Sequence, residues 1–160
     1  MHDRAGNQTS GPKPGDETTG QHYKWAAWNR LVAAYGDDNG EPRDLLATCR
    51  YDGLNRRIQK VVQGDPDATY DYYYNGSWQV LETREGAGAP ESLQPKVQYV
   101  WSQRYIDSPV LRDRDTTGND ELDETLYYAT DANFNVTALT DTGGRRQASR
   151  SLATSSGTAA

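Results

Sequence analysis

A short turn pattern recurs along the chain and limits its fold more than any other feature. An Asp, or a residue in its place, is followed three or four positions later by Gly or Asn. Copies occupy residues 3–7, 26–30, 52–56 and 131–135, with Ala26 in the Asp place of the second and Phe134 in the Gly place of the fourth. Asp and Asn hydrogen-bond to backbone two residues on, and Gly and Asn tolerate positive φ. Strand-like residues follow the later copies: Leu31 and Val32, then 58–62, then 136–139. A turn of this chemistry flanked by alternating apolar residues marks a β-hairpin. Between turns the period is two, with Val97, Tyr99, Trp101 and Tyr105 on one face. Asn75-Gly76, between the Tyr-rich run 70–74 and Trp78, Val80 and Leu81, reads as a further hairpin. The best helical stretch, 44–50, carries Leu45, Leu46 and Cys49 but is too short to be stable alone, so strand is preferred there. The expected class is all-β: consecutive antiparallel β-hairpins forming a curved sheet.

Composition removes several function classes. The chain has 11 Tyr and 4 Trp but one Phe and one Met, so most of its large side chains keep a polar handle suited to half-exposed sheet faces. A net charge of −6 argues against a phosphate-backbone partner, and no nucleic acid is expected. No apolar run approaches the roughly 18–20 residues of a membrane helix. Residues 1–20 are polar and lack an apolar signal region, so if the protein is exported the signal is expected on a longer parent chain or the chain is a fragment. One cysteine, Cys49, cannot close an internal disulfide, and it reads as a small buried residue. The two histidines, His2 and His22, lie in the polar N-terminal stretch and leave neither a zinc set nor a central general base.

Three segments are expected. Residues 1–20 read as a mostly flexible arm with one repeat-like turn, 21–142 as the hairpin region, and 143–160, with no aromatic residue, as a disordered or degraded tail.

The run Tyr51-Asp52-Gly53-Leu54-Asn55-Arg56-Arg57 resembles the tyrosine–aspartate (YD) repeat of RHS-type proteins. Residues 98–107, 110–115 and 127–139 resemble the stretch near the C-terminal end of the RHS core, and the resemblance covers about residues 2–142. It implies a piece of a large exported protein, secreted or held at the cell surface, whose hairpins spiral into a hollow shell. Several such shells enclose a C-terminal toxin domain. The implied partners are neighbouring repeats or an enclosed toxin, and the implied role is structural and non-catalytic. Two departures stand out. Residues 145–150 supply no further Tyr-Asp turn, which suggests a truncated or frame-shifted tail. Asp65-Pro66, the one Asp-Pro pair, lacks the partner motif of the family's self-cleaving site.

The sharpest binding candidate is acidic. Asp113, Asp115, Thr117, Asn119, Glu121 and Glu124 fall at positions 1, 3, 5, 7, 9 and 12 of a twelve-residue calcium loop, with Gly118 at position 6. Thr at position 5, Asp120 at position 8 and the lack of flanking helices depart from that pattern. The preferred reading is an acidic, solvated hairpin loop, with calcium as the alternative ligand and no other cofactor expected. No catalytic residue is assigned: the carboxylates cluster in watered loops, and no hydroxyl has a His or Lys partner. Trp25, Trp28, Trp78 and Trp101 would suit a surface glycan if the fold gathered them, but packing between hairpins is the preferred role. Lys60 and Lys96 read as charges shown at a sheet face or edge.

Overall fold

The computed structural model describes residues 1–13, 15–87 and 92–149. Among these residues the chain forms twelve β-strands and no α-helix. The strands are β1 (Ser10–Lys13), β2 (Asp16–Trp25), β3 (Leu31–Asp38), β4 (Glu41–Tyr51), β5 (Arg57–Val62), β6 (Ala68–Tyr74), β7 (Val80–Gly86), β8 (Gln94–Trp101), β9 (Pro109–Arg114), β10 (Glu124–Thr130), β11 (Val136–Thr140) and β12 (Arg146–Ser149). Their order in the sheet is their order in the chain, so each strand lies beside the one before it. This is the all-β, serial-hairpin architecture that the turn pattern predicts, and the stretch weighed as a helix is the C-terminal part of β4.

The chain divides into two compact units. One contains Met1–Tyr73 and Thr83–Gln94, the other Tyr74–Glu82 and Pro95–Ala160. In the first, β1 to β6 pair antiparallel in succession. In the second, β8 to β12 do the same. Each unit is thinly cored. The buried apolar residues are Ala33 and Leu93 in the first and Leu126 and Ala138 in the second, and no large side chain among the described residues is fully enclosed. The alternation expected of β8 is only partial: Val97, Tyr99 and Trp101 are half-buried and Val100 is exposed, but Gln98 is half-buried as well. Tyr105 falls beyond the strand, exposed in the loop that follows.

Both ends are more ordered than the sequence reading expects. Residues 1–20 are read as a mostly flexible arm, yet they build β1 and half of β2, with Ser10 opposite His22 and Pro12 opposite Gly20. Backbone pairing needs no apolar face. Gly20 lets β2 lie close to β3, since a Cβ there would lie 2.9 Å from Asp37 Cβ. Residues 143–160 are read as a disordered tail, yet 143–149 complete a turn and β12, which pairs with β11. The rest of that segment, 150–160, lies outside the described residues.

Asn75-Gly76 is not the two-residue hairpin turn that the dipeptide signals. That geometry needs positive φ at both central residues, and Asn39 (φ 56°) and Gly40 (φ 88°) supply it between β3 and β4. Asn75 instead opens a longer turn that closes at Gln79.

Candidate functional site

Six turns among the described residues share one geometry. They begin at Asp3, Ala26, Asp52, Asn75, Asp131 and Asp141, here called position 1. The N–H of position 1 donates to the carbonyl of position 5 at 2.8–3.0 Å, and the N–H of position 4 donates back to the carbonyl of position 1 at 3.0–3.4 Å. Position 4 is left-handed in every copy: Gly6, Asn29, Asn55, Trp78, Phe134 and Gly144. This is the three-residue hairpin loop in which a type I turn is followed by a left-handed residue. Five copies carry a side-chain cap, because one oxygen of the Asp or Asn at position 1 accepts from the N–H groups of positions 3 and 5. Asp52 Oδ1, for instance, accepts from Leu54 and Arg56, both at 2.9 Å. Ala26 has no oxygen for this, and its turn stands on backbone bonds alone.

An aromatic residue at the end of a strand closes the mouth of three hairpins, and two of these residues, Trp25 and Tyr51, stand directly before a position 1. Trp25 Nε1 donates to the Gln8 carbonyl at 2.7 Å, the Tyr51 hydroxyl to Leu31 at 2.9 Å, and Trp101 Nε1 to Val80 at 2.8 Å. Each donor ends one strand, and each acceptor begins the run beside it. Side chains at position 5 then tie one turn to the next. Asn7 Nδ2 donates to Asn29 Oδ1 at 3.1 Å, and Arg30 Nη1 reaches the Asp52 carbonyl and Asn55 Oδ1 at 3.4 and 3.3 Å. The Arg30 guanidinium also lies 5.4 Å from the centre of the Tyr51 ring. In the second unit the Gln79 amide donates to the Ile106 carbonyl, and the Tyr105 ring stacks on Phe134 with centroids 4.4 Å apart. The sequence signal common to the clamps is an aromatic residue at the end of a strand, and only in Tyr51-Asp52 does a turn acid follow it. We expect Tyr51→Phe, which keeps the ring under Arg30 and removes only the hydroxyl, to lower stability by about 0.5–1.5 kcal/mol in urea unfolding. An unchanged midpoint would show that the clamp adds nothing.

The calcium-spaced residues form the loop between β9 and β10. Glu124 lies opposite Arg114, which binds it through Nε at 2.5 Å and Nη2 at 3.1 Å. Asp113 lies opposite Thr125 and accepts from its hydroxyl at 2.5 Å. Neighbouring residues of a strand face opposite ways, so the side chains of Asp113 and Glu124 leave the sheet on opposite faces. Asp115 is buried and accepts from the N–H groups of Thr117 and Gly118 and, at 3.4 Å, from Lys96 Nζ. Burial pushes its carboxyl up, but those donors outweigh it and hold the group below the ordinary value. Asn119 Oδ1 accepts from the Glu121 N–H at 3.1 Å, and Glu121 itself is exposed. Thr117 stays near Asp115, with its hydroxyl 3.4 Å from Oδ1. Asp123, which the calcium spacing leaves out, organises the loop by accepting from the N–H and hydroxyl of Thr116. Among the described residues no three His, Cys, Asp or Glu side chains are grouped as metal ligands would be.

The four tryptophans separate into two pairs. Trp25 and Trp101 are the half-buried hairpin clamps, whereas Trp28 and Trp78 sit on turns and are 72% and 56% exposed. Packing between hairpins accounts for the first pair. Lys60 and Lys96 each find a partner: Lys60 lies 4.4 Å from the centre of the Tyr70 ring, and Lys96 pairs with Asp115. Cys49 is half-buried in β4. In the first unit, an open groove of about 630 Å³ runs beside His22, whose Nε2 lies 2.5 Å from Asp37 Oδ1. Compared with known proteins, the chain matches no family model and no curated protein.

Proposed function

We propose that the chain is a non-catalytic structural segment of an exported RHS-type protein, its hairpins contributing to an encapsulating shell or surface scaffold of YD repeats. The observation that carries this reading is the recurrence of one turn geometry, side-chain capped in every copy but that at Ala26, at every second strand connection from residue 3 to residue 79. Position 1 falls at residues 3, 26, 52 and 75, at intervals of 23, 26 and 23 residues. Intervals of that length are characteristic of repeat architectures, in which a unit buries its faces only against its neighbours. The thin core of each unit and the bonds from turn to turn support the same reading. The partners would be further repeats of the same kind, or a toxin domain enclosed by the parent shell.

The test is to read the DNA on both sides of the coding segment and to melt the isolated chain. Tyr-Asp turns in frame at similar spacing are expected in the flanks, together with a broad melt of the 160-residue chain that sharpens when flanking repeats are included. Flanks without such turns, or a sharp cooperative melt of the isolated chain, would overturn the proposal.

A further inference from the structure

The second unit carries a groove of about 740 Å³ between the turn 75–79 and the loop that follows β8. Its lining includes Ser77 and Gln79 from the turn, Val100 from β8, and Gln103, Arg104 and Tyr105 from the loop. Volumes of several hundred Å³ suit small-molecule and short-chain ligands. Hydroxyl and amide side chains dominate its polar surface, and Arg104 is the one charged residue in the lining.

Aromatic residues line this groove, among them Tyr105, and others adjoin its lining. Trp78, between two lining residues of the same turn, has φ 67°, and Phe134, on which Tyr105 stacks, has φ 62°. The equivalent places in other turns hold Gly or Asn, which accept a left-handed backbone with less strain. Trp78 is nevertheless 56% exposed, and Tyr105 is 45% exposed. Tyr105 thus presents an exposed aromatic surface within the lining itself.

We propose that this groove binds a neutral oligosaccharide. The C–H faces of a sugar ring suit an exposed aromatic surface, and its hydroxyls suit a rim of amides and serine hydroxyls. A single cation in the lining, in a chain of net charge −6, gives a sulfated or otherwise polyanionic glycan too little to hold it. The inference does not depend on the shell reading, since a scaffold segment and an independent module could each present such a groove.

The experiment is a saturation-transfer NMR titration of the full chain with neutral oligosaccharides of glucose, galactose, mannose and N-acetylglucosamine, and with chondroitin sulfate as the polyanion. At least one neutral series is expected to bind. Tyr105→Ala should weaken that binding at least tenfold. Trp78→Gly removes the indole while suiting the left-handed backbone, and should weaken it similarly with an unchanged circular dichroism spectrum. Gln103→Ala, at an exposed position, carries the same direction of effect if Tyr105→Ala does not fold. Trp28→Ala, on a turn of the other unit, should leave binding unchanged. The proposal is overturned if no neutral sugar binds up to about 10 mM, or if binding survives both Tyr105→Ala and Trp78→Gly. Binding confined to chondroitin sulfate and abolished by Arg104→Gln would overturn it too.

Discussion

Leu126→Ala should lower the stability of the chain by roughly 2–5 kcal/mol, the range for emptying a buried leucine site. Leu126 is 3% exposed at the centre of β10 and stands opposite Arg112 of β9, which in turn stands opposite Tyr99 of β8. Three strands thus contribute side chains to one row, with the leucine as its driest member. A folded domain typically holds about 5–15 kcal/mol in total, and here only two buried apolar residues, Leu126 and Ala138, serve the described part of the second unit. The removed methyl groups therefore represent a large share of what holds β8 to β11 together. Urea unfolding followed by far-ultraviolet circular dichroism should show a lower midpoint with little change in slope. Leu54→Ala, at a turn residue that is 58% exposed, should stay within about 0.5 kcal/mol of the parent. If the two variants behave alike, Leu126 is not a core residue in solution.

The same thinness of core explains what could and could not be read from the sequence. Hairpin chemistry is local, so Asp52 and Asp131, with Asn55 and Asn135 three and four residues on, announce their turns without reference to the rest of the chain. Asp141 carries the same information, with Gly144 three residues later, but it lies against a tail of small residues. A search for apolar faces discounts such a tail, although backbone pairing with β11 is enough to order residues 146–149. Asn75-Gly76 misleads for another reason. The dipeptide suits two turn geometries, and the one adopted is set by Asn75 accepting from both Ser77 and Gln79. The calcium spacing shows the limit of counting along a chain: positions 1 and 12 meet the sheet register, and register sends Asp113 and Glu124 to opposite faces. The groove beside Tyr105 was out of reach, since its lining joins residues 75–81 to 99–106, and no local pattern records that proximity.

Acid should dismantle the hairpins in an order set by their caps. Asp3, Asp52, Asp131 and Asp141 all titrate below their ordinary value. For Asp3 the leading cause is the side-chain bond from Asn7, for Asp131 that from Asn135, and for Asp141 the N–H of Arg145. At Asp52, burial pushes the carboxyl up, and the Arg56 N–H and guanidinium outweigh it. Asp16, held by the hydroxyls of Thr18 and Thr19, goes down to about 2. A group whose folded pKa is depressed takes up protons more readily when unfolded, so falling pH favours the unfolded chain. The stabilisation is therefore complete above about pH 5, and it is lost as pH falls through each folded pKa below the ordinary 3.8. Asn75 provides an internal control, because its amide oxygen caps the same geometry and has no proton to gain in this range. Amide hydrogen exchange measured by NMR between pH 5 and 2, corrected for intrinsic rates, should show protection at Leu54, Arg56, Asn133 and Asn135 falling first. Ser77 and Gln79 should keep theirs to lower pH. Asp52→Asn should carry the behaviour of the Asn75 turn to the connection between β4 and β5. If all six turns lose protection together, including the one capped by Asn75, the carboxylate caps do not set the acid limit and global charge repulsion does.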